Sequence, residues 1–137
     1  MKSMIEFKPF NRDKSIDELR YNIKRWLDEF DFVSFELPFL KRMVKAFPFK
    51  NIIPNLFEQI QLFIKDLDDF KAKKIDILEK IEVHNKQLDG MTECNELSCD
   101  HYFLLENDHL AEDIHNYNSD YRALKIRIYN YLLSSNN

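Results

Sequence analysis

One glycine, four prolines and two cysteines are all that 137 residues hold of these types, and each scarcity excludes something. A single glycine cannot build a phosphate-cradling loop, and with so few turn formers a sheet of several hairpins has no punctuation. Two cysteines, Cys94 and Cys99, are too few for a secreted disulfide framework and read as reduced thiols. No apolar run approaches the roughly 20 residues of a membrane span. At the N-terminus Glu6, Lys8 and Pro9 interrupt any signal-peptide core, so the expected location is cytoplasmic, with no membrane association. Excess positive charge is also missing. A formal net charge of −4 gives nucleic-acid binding no electrostatic support.

What is present is an apolar content of 45% beside a charged content of 32%, the balance of a soluble globular chain of one domain. The apolar residues fall into three stripes that alternate steps of three and four. The first runs Ile16, Leu19, Ile23, Trp26, Phe30, Val33, Leu37, Leu40, Val44, Phe47. Ser15-Ile16-Asp17-Glu18 fits a capping box and predicts that this helix starts at Ser15. Pro38 lies inside the run and removes one backbone hydrogen bond, yet the register continues across it. A kinked helix is therefore expected, with a break into two helices, and so a four-helix bundle, as the alternative.

Pro48 to Asn51 is expected to close the first helix, with Asn51 capping the second and Pro54 in its first turn. The second stripe reads Leu56, Ile60, Phe63, Leu67, Phe70, Lys74, Ile77, Ile81, His84, Leu88, and Gly90 is placed to end it near Asp89. After a polar connector, Met91 to Ser98, Asp100 can cap a third helix with the stripe Phe103, Asn107, Leu110, Ile114, Tyr117, Tyr121, Leu124, Ile128, Tyr131. Short connectors make sequence neighbours antiparallel. The expected fold is all-α, an elongated antiparallel three-helix bundle over residues 15–137 with coiled-coil-like packing. Residues 1–14 are expected to form an arm whose Ile5, Phe7 and Phe10 can fold back on it.

Two polar residues interrupt the second stripe. His84 takes a position where the pattern asks for an aliphatic side chain, and antiparallel register brings it beside Glu106 and within a turn of His109. Glu106-Asn107-Asp108-His109 has the Glu-x-x-His spacing that sets a carboxylate and an imidazole on one helix face. A metal site of His84, Glu106 and His109, completed by Asp17 or Glu18, is thus one candidate. Against it, carboxylate-bridged metal bundles draw such motifs from two helices, and here only the third carries any; Glu112 and His115 repeat the spacing on that same helix. A core-edge histidine bonded to Glu106 or Glu18 is the favoured reading. Lys74 should lie level with Trp26 and with Asn116 to Asp120, its stem packed and its ammonium reaching Asp120 or the indole.

Cys94-x4-Cys99 with His101 is half of a zinc pattern at best. From Asp89 to Asp113 the chain carries eight acidic and no basic residues, an end that can solubilise the bundle, dock a basic partner or attract a divalent cation. No nucleophile has an adjacent base and orienting acid, so catalysis has no support and no cofactor is implied. Twelve Phe and six Tyr lie mostly on or beside the stripes, but Phe32, Phe35, Phe39 and Phe57 widen the apolar face beyond a narrow seam, as a dimer interface would.

Trp26, the Phe-rich stretch from Phe30 to Phe39, and the runs from Ile75 to His84 and from His109 to Ile114 together resemble small uncharacterised helical proteins of flavobacteria and their relatives, over most of the chain. The resemblance implies an all-helical fold and brings no activity, ligand or catalytic residue with it. The function expected is that of a non-enzymatic protein-interaction or scaffolding bundle, acting on a protein partner or by self-association, with the metal-binding bundle as the alternative.

Overall fold

In a computed structural model, residues 12–50, 52–93 and 97–135 are described, with side chains over 16–50, 52–90 and 101–135. Three helices, α1 (Arg12–Ala46), α2 (Leu56–Glu93) and α3 (Leu97–Ser135), account for nearly all of it, and the described residues include no strand. At 1.5 Å per residue each helix runs about 50–60 Å.

The stripes are the core. Leu19, Ile23, Trp26, Phe30, Val33, Leu37, Leu40 and Val44 of α1 are buried against Phe63, Leu67, Ile77, Ile81 and Leu88 of α2 and Leu110, Ile114, Tyr117, Tyr121, Leu124 and Ile128 of α3. Burial of each such side chain stabilises the fold by about 1.5–3 kcal/mol. Leu104 and Leu132 join them; each sits one residue beyond a stripe position and widens the apolar face of α3. Aromatic contacts tie the three helices together at one level. Phe30 of α1 and Phe70 of α2 each lie 5.2 Å from the Tyr117 ring of α3, and Phe70 also meets Tyr121 at 5.6 Å.

The helices pass through several residues expected to bound them. α1 is continuous through Pro38, which excludes the four-helix alternative: the unbroken apolar stripe holds both halves against the same neighbours, and that packing outweighs one lost backbone bond. Helical structure begins at Arg12, so Ser15 lies within the first turn instead of capping it, and the last residues of the expected arm are helical; Ile5, Phe7 and Phe10 lie outside the described residues. α2 starts at Leu56 and not at Asn51. Asn55 takes a left-handed φ of 60°, and its carbonyl accepts the Gln59 amide at 2.9 Å, so Pro54 belongs to the turn before the helix. Gly90 does not terminate α2, which continues to Glu93 with no glycine at positive φ among the described residues. Likewise α3 begins at Leu97 and Asp100 is inside it.

The α1–α2 connector folds inward. Phe47 and Phe49 stack edge to face at 4.9 Å, and Phe49 reaches the Tyr131 ring of α3 at 6.3 Å. Interhelical ion pairs then mark the register. Arg20–Asp89 and Lys41–Asp68, both at 3.0 Å, join α1 to α2, while Arg127–Asp66 at 3.1 Å joins α3 to α2. Exposed as they are, each is worth under about 1 kcal/mol.

Candidate functional site

Among the described residues, two groups of polar side chains at different levels of the bundle stand out. At the first, Glu36 of α1 accepts hydrogen bonds on one oxygen from the Tyr121 hydroxyl at 2.6 Å and the Lys125 ammonium at 3.0 Å, both from α3. The Lys125 ammonium also lies 4.7 Å from the centre of the Tyr121 ring. Tyr121 and Lys125 are one turn apart, so the two donors rise from one face of α3 and converge on the carboxylate. Burial, reinforced by the Glu36 charge, pushes the Tyr121 phenol well above its ordinary value. Burial does the same to Tyr117, whose hydroxyl donates to the Phe70 carbonyl at 2.9 Å. Nearby, the Lys74 ammonium donates to Ser34 Oγ at 2.6 Å. Lys74 is thus level with Ser34 and not with Trp26, and Ser34, in place of Asp120 or the indole, is its partner. Desolvation, then the neighbouring Lys71 charge, lowers its pKa. The Arg20–Asp89 and Lys41–Asp68 pairs agree with this level.

The second level is built from His84 of α2 and Asn107 of α3, 2% and 0% exposed. Neither ring nitrogen of His84 and neither amide atom of Asn107 has a hydrogen-bond partner, and the Tyr131 hydroxyl shares this state. His84 is bonded to neither Glu106 nor Glu18. Its pKa is lowered by desolvation, against which nearby Asn107 and then the Glu106 charge act to raise it. Asn107 stands close enough to be felt by the imidazole, but the two do not meet in bonding geometry. Glu106 and His109 do share with His84 the lining of one surface groove of about 250 Å³ between α2 and α3, together with Asp113, Lys80 and Gln87. Yet among the described residues no three His, Cys, Asp or Glu side chains are gathered so that a metal ion fits between them. Asp17 and Glu18 are exposed on α1 and do not line that groove.

Part of the acidic end falls outside the described side chains, including Cys94 and Cys99. Of the rest, Asp89 pairs with Arg20 and Asp113 with Lys80 at 3.7 Å.

The outer surface of α1 is different. Phe32, Phe35 and Phe39 are 59%, 76% and 56% exposed, on the side of the helix away from the core. Phe35 lies two residues past Val33, about 200° round the helix. Phe32 and Phe35 face each other with ring centres 6.5 Å apart. Phe35, Pro38, Phe39, Arg42, Met43 and Ala46 line an open groove of about 750 Å³ along this surface. A bundle helix ordinarily turns charged and polar residues to this side. Phe57 is exposed as well, at the start of α2. No helix among the described residues is long and apolar enough to cross a membrane, so a lipid-spanning role does not account for the aromatic surface.

No family model, curated protein or solved structure matches this chain.

Proposed function

We propose that this protein is a non-enzymatic interaction bundle that binds protein through the outer face of α1. The observation carrying the reading is the row of exposed rings at Phe32, Phe35 and Phe39. Rings of this kind, held on a rigid helix, bury large areas at little conformational cost and are favoured anchors at protein interfaces. Three of them in one stripe, with the groove at Pro38 and Met43 beside them, exceed the scattered single apolar residues that a surface normally carries.

The test places a photoreactive phenylalanine analogue at Phe35 in the protein within its host cells, with the same residue at exposed Glu79 of α2 as control. A discrete protein adduct at Phe35 that is absent at Glu79 is the expected result. Equal labelling at both sites, or none at Phe35, overturns the reading.

A further inference from the structure

We infer that the occupant of this face is a second copy of the chain, docked with its α1 antiparallel to the first across a twofold axis passing between Phe35 and Pro38. This rests on the reading of the α1 face as a protein-binding surface and goes beyond it by naming the partner and its orientation.

A second heptad stripe carries the argument. Opposite the core, Asp28, Asp31, Phe35, Pro38, Arg42 and Lys45 follow one another at alternating steps of three and four, and all six are exposed. α1 is therefore a helix with two seams, and the bundle fills one. Along the second seam the charges are ordered: two carboxylates, then aromatics and proline, then two cations. In an antiparallel pairing about the stated axis, Asp28 meets the other copy's Lys45, Asp31 meets its Arg42, and Phe35 meets its Pro38. Just beside the seam, Phe32 faces Phe39 of the other copy, on both sides of the axis. A parallel pairing sets every charge against its own likeness. The stripe is thus complementary to itself in one orientation only, as an isologous twofold contact requires.

The charges needed are also unspent. Asp31, Arg42 and Lys45 make no ion pair with any described residue, and Asp28 makes only an exposed contact of 3.4 Å to Lys24 in the next turn. As to size, the three exposed rings offer roughly 300–500 Å², about half of the roughly 800 Å² that each partner gives to a standard interface. The stems of Asp28, Asp31, Arg42 and Lys45 with Pro38 extend the contact over more than four helical turns and supply the remainder.

The experiment is sedimentation of the full chain from micromolar to millimolar concentration, with two charge-reversed variants. Asp28→Lys with Asp31→Arg makes the seam wholly basic; Arg42→Asp with Lys45→Glu makes it wholly acidic. Wild type is expected to sediment as a dimer at the upper concentrations. Each variant alone, with helical circular dichroism intact, is expected to dimerise at least about 100-fold more weakly, and an equimolar mixture of the two to regain the dimer, because each basic position then opposes an acidic one. A wild type that stays monomeric throughout overturns the inference, even if the variants misfold. So does a mixture no more associated than its components. A monomeric wild type whose Phe35 still captures a different protein sinks the second copy and leaves the proposed function standing; capture of nothing sinks both.

Discussion

The two polar levels inside the bundle invite comparison, because the same sequence solves the problem of a buried polar group at one and leaves it open at the other. Around Glu36, charge, hydroxyl and ammonium satisfy one another across α1 and α3. Around His84 and Asn107, four donor or acceptor atoms are enclosed without a partner. A buried polar atom with no partner forfeits its hydration for nothing in return. The Glu36 level should therefore contribute to stability, whereas the His84 level should subtract from it, its pair being kept for another reason such as fixing the pairing of α2 with α3.

The largest effect is expected where the network is complete. Glu36→Ala removes the acceptor common to Tyr121 and Lys125 and leaves a phenol donor facing the core, so chemical denaturation should show a loss of about 2 kcal/mol. A loss no greater than that of an exposed carboxylate, such as Glu79→Ala, would equate the two levels and end the distinction. Next comes replacement of the orphaned pair. His84→Leu combined with Asn107→Leu fills the same space with apolar groups and should stabilise the protein by about 1 kcal/mol. Net destabilisation would show that the pair is satisfied in solution, by a trapped water for instance.

The contrast also bears on what could be read from the residues alone. Step-of-three-and-four spacing located nearly every core side chain because burial in a helix depends on periodicity, which is local. It also marked His84 and Lys74 as polar residues in apolar positions. Partners are a matter of register, and register is set by the connectors. α2 begins at Leu56, later than the spacing of the connector implies, and Lys74 meets Ser34 in place of Trp26. His84 does lie beside Glu106, as the spacing implies, but it makes no hydrogen bond to it, and Asn107 shares the seam. The Glu36, Tyr121 and Lys125 cluster went unread because it joins α1 to α3, helices that run parallel and have no connector from which to count. Its one local signal was Lys125 a turn beyond a seam tyrosine. Helix ends were the least legible. Gly90 and Asp100 permit termination without compelling it, and the backbone is helical at both.

The smallest effect is one of pH, and it tests the same contrast from the side of charge. Desolvation lowers the pKa of folded His84 below the value near 6.5 that it has when unfolded, Asn107 and Glu106 compensating only in part. As pH falls through about 6.5 the unfolded chain takes up a proton that the folded chain still refuses, so stability is lost. The loss continues until the folded pKa is reached and then levels off; above about pH 7.5 the residue contributes no slope. Melting temperature should thus decline on acidification from pH 7.5 to pH 5 more steeply in wild type than in the variant with Leu at both 84 and 107. The difference between the two curves isolates His84 from the carboxylates common to both proteins, including Asp108, whose pKa burial raises. A variant melting in parallel with wild type across that window would mean that the imidazole is already hydrated or paired when folded, and the second level would then differ from the first in position alone.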